Sequence, residues 1–239
     1  MKYVYGPVKS RRLGFSLGVS TVPYKVCSFD CVYCQLKETT RKTLTRKTYL
    51  KTSEILEELR TFFTHRPKDV RLDYVTFSGA GEPTLHRGIG RILKAVRRMS
   101  PVPVVVITNA STLMQERVRR DLLDADIVIP SLDAVTQDVF EKIDRPVGNM
   151  RIEDVIEGLK QFRRVYGGKM WLEIMLVRGI NDSVPYLELL KKTADEIGPD
   201  RVQINAPVRP PALPWVKVPT KSTLSAAKKI FGKKCDVVC

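Results

Sequence analysis

Three cysteines lie close together near the start of the chain, at Cys27, Cys31 and Cys34. The gaps between them are three and two residues, and closely spaced cysteine thiolates are common protein ligands of iron-sulfur clusters. Three thiolates suit three corners of one four-iron cube and leave the fourth iron without a protein ligand. Because an open iron can bind and reduce a cofactor, the spacing predicts cofactor-assisted redox chemistry.

A zinc site and a disulfide are the two alternatives for these cysteines. Structural zinc sites more often use paired Cys-x-x-Cys units or Cys/His sets, and the only histidines, His65 and His86, are distant along the chain. The cysteine count of five is odd, and the N-terminus lacks a signal-like apolar run, so we expect reduced thiols in the cytoplasm. We expect Cys235 and Cys239 to be free thiols; a redox pair, or ligands completed by another group, are the alternatives.

The composition is that of an ordinary globular protein. The chain has 239 residues, of which 43% are hydrophobic and 28% charged, so it can bury one large core. No apolar run approaches the length of a membrane span, and we expect no membrane partner. We predict one domain over residues 1–216, with a basic segment carrying the cysteine loop at 1–51, and a basic tail at 217–239.

The net charge of +15 is concentrated at the two ends of the chain. Residues 1–51 contain eleven Lys and Arg against two acids, and residues 217–239 contain six against one, whereas the middle is nearly neutral. Cations clustered beside a reactive site concentrate anionic substrates such as a phosphate backbone; a solvated basic surface is the alternative. The densest run of cations is Arg41, Lys42, Arg46, Lys47 and Lys51.

Apolar runs and helical stripes alternate along the chain. Amphipathic helices are predicted around residues 52–63, 89–99, 114–122, 135–143, 155–166 and 187–197. Short apolar strands are predicted near residues 17–22, 74–78, 104–107, 127–129, 171–177 and 201–205. Strands that alternate with helices form a parallel sheet with right-handed crossovers. The pattern therefore predicts an α/β fold, a partial (β/α)6 barrel of the TIM type.

Polar and glycine-rich segments follow every predicted strand. They are the cysteine run and residues 79–83, 108–109, 130–133, 179–182 and 205–207. Because the carboxyl ends of parallel strands share one rim of a barrel, we expect these loops to form one ring. Such a ring could bind one extended cofactor above a cluster.

Two motifs carry a resemblance to a known family. The pattern Cys27-x-x-x-Cys31-x-x-Cys34, with Tyr33 before the last cysteine and Ser78-Gly-Ala-Gly-Glu-Pro-Thr84 downstream, resembles the radical SAM superfamily. The similarity spans nearly the whole chain. Four further segments resemble the branch of iron-sulfur oxidoreductases related to wyosine-type tRNA synthases: residues 5–12, 32–35, 129–134 and 209–211.

The resemblance implies a [4Fe-4S] cluster on the three cysteines and S-adenosylmethionine bound to its open iron. One electron would then cleave the cofactor to methionine and a 5′-deoxyadenosyl radical, which abstracts hydrogen from a substrate. The electron would come from a low-potential donor such as ferredoxin or flavodoxin. The resemblance also implies that the barrel excludes water and other quenchers.

The resemblance also implies which residues contact S-adenosylmethionine. Gly79, Gly81 and Glu82 would face its ammonium group, and glycine permits a close backbone approach. Asn109 and Ser131 would contact its carboxylate and ribose. The other implied contacts are Asp133 on the ribose, with a helix cap as its alternative, and Tyr33 and Asn181 on the adenine side, with a plain loop role as the alternative for Asn181.

Basic residues are the candidates for substrate contact, because guanidinium groups at a rim suit phosphate or carboxylate partners. The candidates are Arg209, Arg145, Arg11, Arg12 and Lys25. Arg209 ranks first because the prolines around it would stiffen its loop.

Three functions remain open at this point. The first is a radical enzyme that acts on RNA, with tRNA or another anion as the substrate. The second is an activase or maturase that acts on a partner protein or small molecule. The third is a non-catalytic iron-sulfur or RNA-binding module, which the intact cysteines and Gly79–Glu82 disfavour. The wyosine-type synthases carry a further cysteine set upstream, whereas no cysteine precedes Cys27, so their reaction does not transfer directly.

Overall fold

The computed structural model describes residues 1–67 and 69–238 and shows strands alternating with helices. The strands are β1 Val4–Ser10, β2 Gly14–Val19, β3 Val26–Cys27, β4 Arg41–Lys42, β5 Tyr74–Phe77, β6 Val104–Thr108, β7 Ile127–Pro130, β8 Lys169–Met175, β9 Arg201–Asn205 and β10 Cys235–Val237. The helices are α1 Thr52–His65, α2 Ile89–Met99, α3 Glu116–Asp121, α4 Gln137–Ile143, α5 Ile152–Val165, α6 Val184–Ile197 and α7 Lys221–Phe231.

Eight of the strands form one sheet in the order β1-β2-β5-β6-β7-β8-β9-β10. Strands β2, β5, β6, β7, β8 and β9 run parallel to one another, and helices connect β5 through β9 on one side of the sheet. These six strands are the predicted ones, and the predicted partial barrel is confirmed. The first, β2, begins and ends three residues earlier than predicted; Thr21 already belongs to the loop after the strand, where its hydroxyl donates to Pro83 O at 3.2 Å.

Two edge strands extend the predicted six. Strand β1 forms an antiparallel hairpin with β2, and β10 pairs in parallel with β9. Both α7 and β10 lie within the predicted basic tail, and Cys235 in β10 is fully buried although the tail is rich in lysine. Cys235 is a free thiol, whereas Cys239 lies outside the described residues. The predicted domain boundary at residue 216 stays a prediction.

The sheet is buried on both faces, as the near-continuous apolar strands require. On the outer face, the helix stripes pack against alternate strand residues; in α2 these are Ile89, Ile92, Leu93 and Val96, all fully buried. On the inner face, a second apolar cluster fills the lower part of the barrel; it consists of Leu13, Val105, Ile127, Ile129 and Trp171. Open space in the barrel therefore lies towards the carboxyl ends of the strands. Among the described residues, no helix has the length and apolarity needed to span a membrane.

Candidate active site

A cavity of about 270 Å³ lies at the carboxyl ends of the strands, and all three clustered cysteines line it. Within residues 1–67 and 69–238, no three His, Cys, Asp or Glu side chains lie close enough together to hold one metal ion. The three thiols face one space. Three thiolates from one short loop match three corners of a four-iron cube, whereas structural zinc sites use four Cys or His ligands, so the donor set fits the cluster.

Each of the three thiols has a polar neighbour. The Lys25 ammonium lies 3.3 Å from Cys34 Sγ, the Asn109 amide nitrogen lies 3.5 Å from Cys27 Sγ, and the Cys31 thiol lies 3.4 Å from Asp144 Oδ1. Desolvation raises the pKa of Cys27 to about 12, and desolvation together with Asp144 raises the pKa of Cys31. Thiols must lose their protons to bind iron, so the binding energy of the metal has to offset this cost.

The cysteine loop is held to the barrel by backbone hydrogen bonds. The N–H of Val32 donates to Ile143 O at 2.9 Å, and the N–H of Cys34 donates to Cys31 O at 3.0 Å. Strand β3, which ends at Cys27, pairs in parallel with the exposed strand β4, Arg41–Lys42. The loop is thus fixed on both sides before any ligand binds, which favours a preorganised site.

The Gly79–Glu82 segment follows β5 and passes close beneath the cysteine loop. A Cβ on Gly81 would lie 2.0 Å from Val26 O, the backbone oxygen just before Cys27. Gly79 adopts a φ of +106°, which favours glycine. Both glycines line the cavity. The glycine at position 81 is therefore required for the loop to approach the cysteine segment.

We expect Gly81→Ala to lower the unfolding free energy by about 1–3 kcal/mol, because the added methyl group displaces the Val26 backbone. Iron content after anaerobic reconstitution should fall as well, since the displaced backbone carries Cys27. Gly167→Ala is the matched control, because a Cβ there meets nothing within 4 Å. Urea denaturation and iron analysis of both variants check this expectation, and equal behaviour of the two would contradict it.

The Glu82 carboxylate is buried at the cavity wall and accepts four hydrogen bonds. Its Oε1 accepts from Thr84 N at 3.0 Å, Thr84 Oγ1 at 2.5 Å and Thr108 Oγ1 at 2.7 Å, and its Oε2 accepts from Asn109 N at 2.8 Å. Burial raises the pKa of Glu82, and these hydrogen bonds oppose the rise. Glu82 thus ties the loop after β5 to the end of β6.

Most of the predicted cofactor contacts line the same cavity. Tyr33, Gly79, Gly81, Glu82, Asn109 and Ser131 are among its lining residues. Asn109 is oriented by Ser28, whose Oγ accepts from the Asn109 amide at 2.9 Å. The structure therefore brings these side chains together next to the thiols, while their contacts with S-adenosylmethionine stay predictions.

Three predicted site residues lie outside the wall of this cavity. Asn181 is fully buried and bonds only to backbone groups: its amide nitrogen donates to Asp133 O and Met175 O, each at 2.8 Å. Asp133 is buried beneath the cavity, where it accepts from the Tyr33 hydroxyl and, at 2.7 Å, from Met175 N. Burial raises the pKa of Asp133 to about 6. Both side chains brace the ends of β7 and β8 rather than face the cavity.

Arg145 is the third of these residues. Its guanidinium forms an ion pair with Asp30 on the cysteine loop, away from the cavity. Its backbone oxygen accepts from the Lys42 ammonium at 3.2 Å. Arg145 thus supports the outer side of the cysteine loop instead of facing a substrate in the cavity.

The other predicted basic residues do line the cavity, and the structure adds Glu173. Arg12 pairs with Glu173, which stands on β8 and is 7% exposed. Arg209 bonds to the side chain of Gln35. Burial lowers the pKa of Arg12 to about 10, with contributions from the neighbouring cations Arg11 and Arg209. Three guanidinium groups are therefore gathered at one side of the cavity.

Glu173 was missed because it lies inside an apolar run that predicts only a buried strand. A single acidic residue in such a strand was the available signal, because a buried carboxylate needs a partner. Arg12 lies 161 positions away along the chain, and only the hairpin of β1 and β2 brings it to β8.

A family model described as the radical SAM superfamily matches residues 21–190 of the chain. A UPF0026 protein of Methanocaldococcus jannaschii is 33% identical over 98% of this chain and 72% of its own length. A protein of Brachyspira hyodysenteriae named "GTPase Obg" is 40% identical, but the chain spans 34% of it and contains no G-x-x-x-x-G-K-[ST] sequence. A Mycobacterium bovis protein named "Probable dual-specificity RNA methyltransferase RlmN" is 28% identical over 87% of this chain and 58% of its own length.

Solved structures share the fold. A radical SAM methyltransferase from Sphaerobacter thermophilus superposes with a TM-score of 0.72, with 19% identity over 94% of this chain and 67% of the other. TYW1 with a lysine-pyruvate adduct bound gives a TM-score of 0.65, with 15% identity over 92% of this chain and 74% of the other. The radical SAM family uses a [4Fe-4S] cluster and S-adenosylmethionine. With its three-cysteine cavity on a partial barrel, the chain is an iron-sulfur enzyme that belongs to the radical SAM superfamily and to the UPF0026 family.

Proposed function

We propose that this enzyme reductively cleaves S-adenosylmethionine and abstracts hydrogen from an RNA substrate in the cytoplasm, with tRNA as the first candidate. The observation that carries the proposal is one cavity lined both by the three cysteines and by the guanidinium groups of Arg11, Arg12 and Arg209. The name of the RNA methyltransferase relative supports the choice of RNA.

When bound, the cluster supplies one electron to S-adenosylmethionine. The chain's own residues hold and shield the reactants. Lys25 holds its ammonium group 3.3 Å from the sulfur of Cys34, one of the three residues that would hold the cluster. Gly79, Gly81 and Asn109 line the cavity and would contact the methionine end of the cofactor. The apolar cluster below the cavity keeps water from the lower barrel, which protects a radical from quenching.

The charges around the cavity favour an anionic substrate. The two carboxylates in its wall are already engaged, because Glu82 accepts four hydrogen bonds and Glu173 pairs with Arg12. Within residues 1–67 and 69–238, Arg11 and Arg209 bond to uncharged groups, the Val238 carbonyl and the Gln35 side chain. These two guanidinium groups are therefore available for a phosphate, which arginine recognises by paired hydrogen bonds.

The test is tRNA-dependent formation of 5′-deoxyadenosine. Reconstituted protein is reduced with dithionite in the presence of S-adenosylmethionine, with bulk tRNA, with the same tRNA after ribonuclease digestion, or with neither. We expect intact tRNA to raise the yield severalfold, and Arg209→Glu to remove the increase while leaving the yield without tRNA in place. Equal yields in the three wild-type reactions would contradict an RNA substrate and favour a protein or small-molecule substrate.

A further inference from the structure

An exposed basic segment lies directly beside the cluster-binding strand. Residues 37–47 contain five cations and one acid, Glu38. Arg46 pairs with Asp121, and the other four cations, Lys37, Arg41, Lys42 and Lys47, are called the basic ribbon below. Strand β4 of the ribbon pairs with β3 so that Lys42 lies opposite Cys27, and the N–H of Thr43 donates to Cys27 O at 2.9 Å. The ribbon is therefore one hydrogen bond away from a cluster ligand.

The cations of the ribbon bond to uncharged groups. The Lys37 and Lys42 ammonium groups donate to the carbonyls of Pro211 and Arg145, at 3.1 and 3.2 Å. Arg41 and Lys47 lie over the ring of Tyr49, 5.9 and 5.0 Å from its centroid. Within the described part of the chain, none of the four cations forms an ion pair with an acid. Their charge is thus fixed in place and free to attract an acidic partner.

The ribbon is separate from the substrate side of the site. None of its four cations lines the cavity, whereas Arg11, Arg12 and Arg209 do. A macromolecule on the ribbon would reach the cluster from outside the cysteine loop and leave the cavity open for S-adenosylmethionine and substrate. Leu44, between Lys42 and Lys47 in the sequence, is 37% exposed and adds an apolar contact among these charges, a combination that protein interfaces use.

From this arrangement we propose that the basic ribbon is the docking surface for an acidic one-electron carrier protein. The inference rests on the proposed reductive cleavage, because that reaction consumes one electron per cofactor. The carrier is oxidised by one electron, which passes to the cluster; no bond forms or breaks at the surface. Charge complementarity gives fast, salt-sensitive encounter, and electron-transfer complexes need only a small interface.

The test uses charge reversal with a matched control. Arg41→Glu/Lys42→Glu reverses two charges on the ribbon, and Lys221→Glu/Lys229→Glu makes the same change on the exposed face of α7. The milder Arg41→Gln/Lys42→Gln variant serves in case the reversal disturbs folding. Iron content and urea denaturation establish that each protein is folded and loaded before it is compared.

The first readout is equilibrium binding of purified flavodoxin, and separately ferredoxin, to each reconstituted protein without reductant or S-adenosylmethionine. We expect the ribbon reversal to weaken binding of the preferred carrier by about tenfold or more, the Gln variant by less, and the α7 control by less than about twofold. Binding by the wild-type protein should weaken with salt. Absence of binding to either carrier, or equal loss in the α7 control, would overturn the proposal.

The second readout compares two reductants. With the carrier and its reductase, 5′-deoxyadenosine formation by the ribbon variant should fall about tenfold, whereas with dithionite it should match the wild type. A parallel loss with both reductants would mean that the ribbon only supports the cluster loop. Loss of tRNA retention with unchanged carrier binding would identify the ribbon as an RNA contact instead. Absence of dithionite-driven cleavage in the wild type would remove the proposed function, while the binding readout would still be interpretable.

Discussion

Replacing Cys31 by alanine is expected to abolish 5′-deoxyadenosine formation and most of the iron bound after reconstitution. Cys31 is one of only three thiols that line the cavity, and the described residues offer no fourth cysteine there to replace it. A cube held by two thiolates is missing half of the usual four-cysteine set. Iron and sulfide analysis, together with chromatographic detection of 5′-deoxyadenosine, measures both effects.

Cys235→Ala is the matched control for this variant. Cys235 is also a free thiol, but it is buried on β10 and does not line the cavity. Its replacement should leave the iron content and the yield of 5′-deoxyadenosine near the wild-type values. Full iron loading of Cys31→Ala, or loss of iron from Cys235→Ala, would contradict the assignment of the cluster to the cysteine loop.

Replacing Glu82 by alanine should lower the unfolding free energy by about 3–4 kcal/mol. The four donors that now bond to its carboxylate would lose their acceptor. Each buried donor left without a partner costs about 1–3 kcal/mol, and water that enters the space left by the side chain would bond to some of these donors and reduce the total cost. Affinity for S-adenosylmethionine should fall at least about tenfold, which corresponds to about 1.4 kcal/mol. Urea denaturation and equilibrium binding of the cofactor to reconstituted protein measure the two effects.

Two variants delimit the role of Glu82. Glu82→Gln keeps one acceptor oxygen and should lower the unfolding free energy by about 1–3 kcal/mol. The reason is that its side-chain amide nitrogen, itself a donor, would face at least one of the four donors. Glu153→Ala removes an exposed carboxylate that pairs with Arg151, and should change the unfolding free energy by less than about 0.5 kcal/mol. If Glu82→Ala were as stable as Glu153→Ala, the hydrogen-bond network would not hold the loop as described.

The rim of the barrel was predictable from sequence because parallel strands place their following loops together. The cysteine loop, Gly79–Glu82, Asn109 and Ser131 each follow a strand, and one cavity now contains them all. The alternation of apolar strand segments with amphipathic helical segments was enough to predict this ring of loops. No contact between distant residues had to be known. The same rule also selects Asp133 and Asn181, which follow strands but lie outside the cavity wall. Asp133 bonds to Met175 N and the Tyr33 hydroxyl, and Asn181 bonds to backbone groups.

The two edge strands could not be predicted from their own residues. Strand β1 is half exposed and contains a proline, and β10 is a three-residue strand in a lysine-rich segment. Each exists because a neighbouring strand offers unpaired backbone groups at the edge of the sheet. The ion pair between Arg12 and Glu173 could not be predicted either, because the two residues are distant in sequence and only the folded barrel brings them together.

The central claim is that the three-cysteine cavity cleaves S-adenosylmethionine by one-electron reduction. The most direct measurement is the yield of both products, 5′-deoxyadenosine and methionine, from anaerobically reconstituted protein with a verified four-iron cluster, after dithionite reduction with S-adenosylmethionine. We predict equal molar amounts of the two products in the wild type and neither in Cys31→Ala. A fully loaded wild-type protein that yields no 5′-deoxyadenosine, with or without tRNA, would contradict the claim.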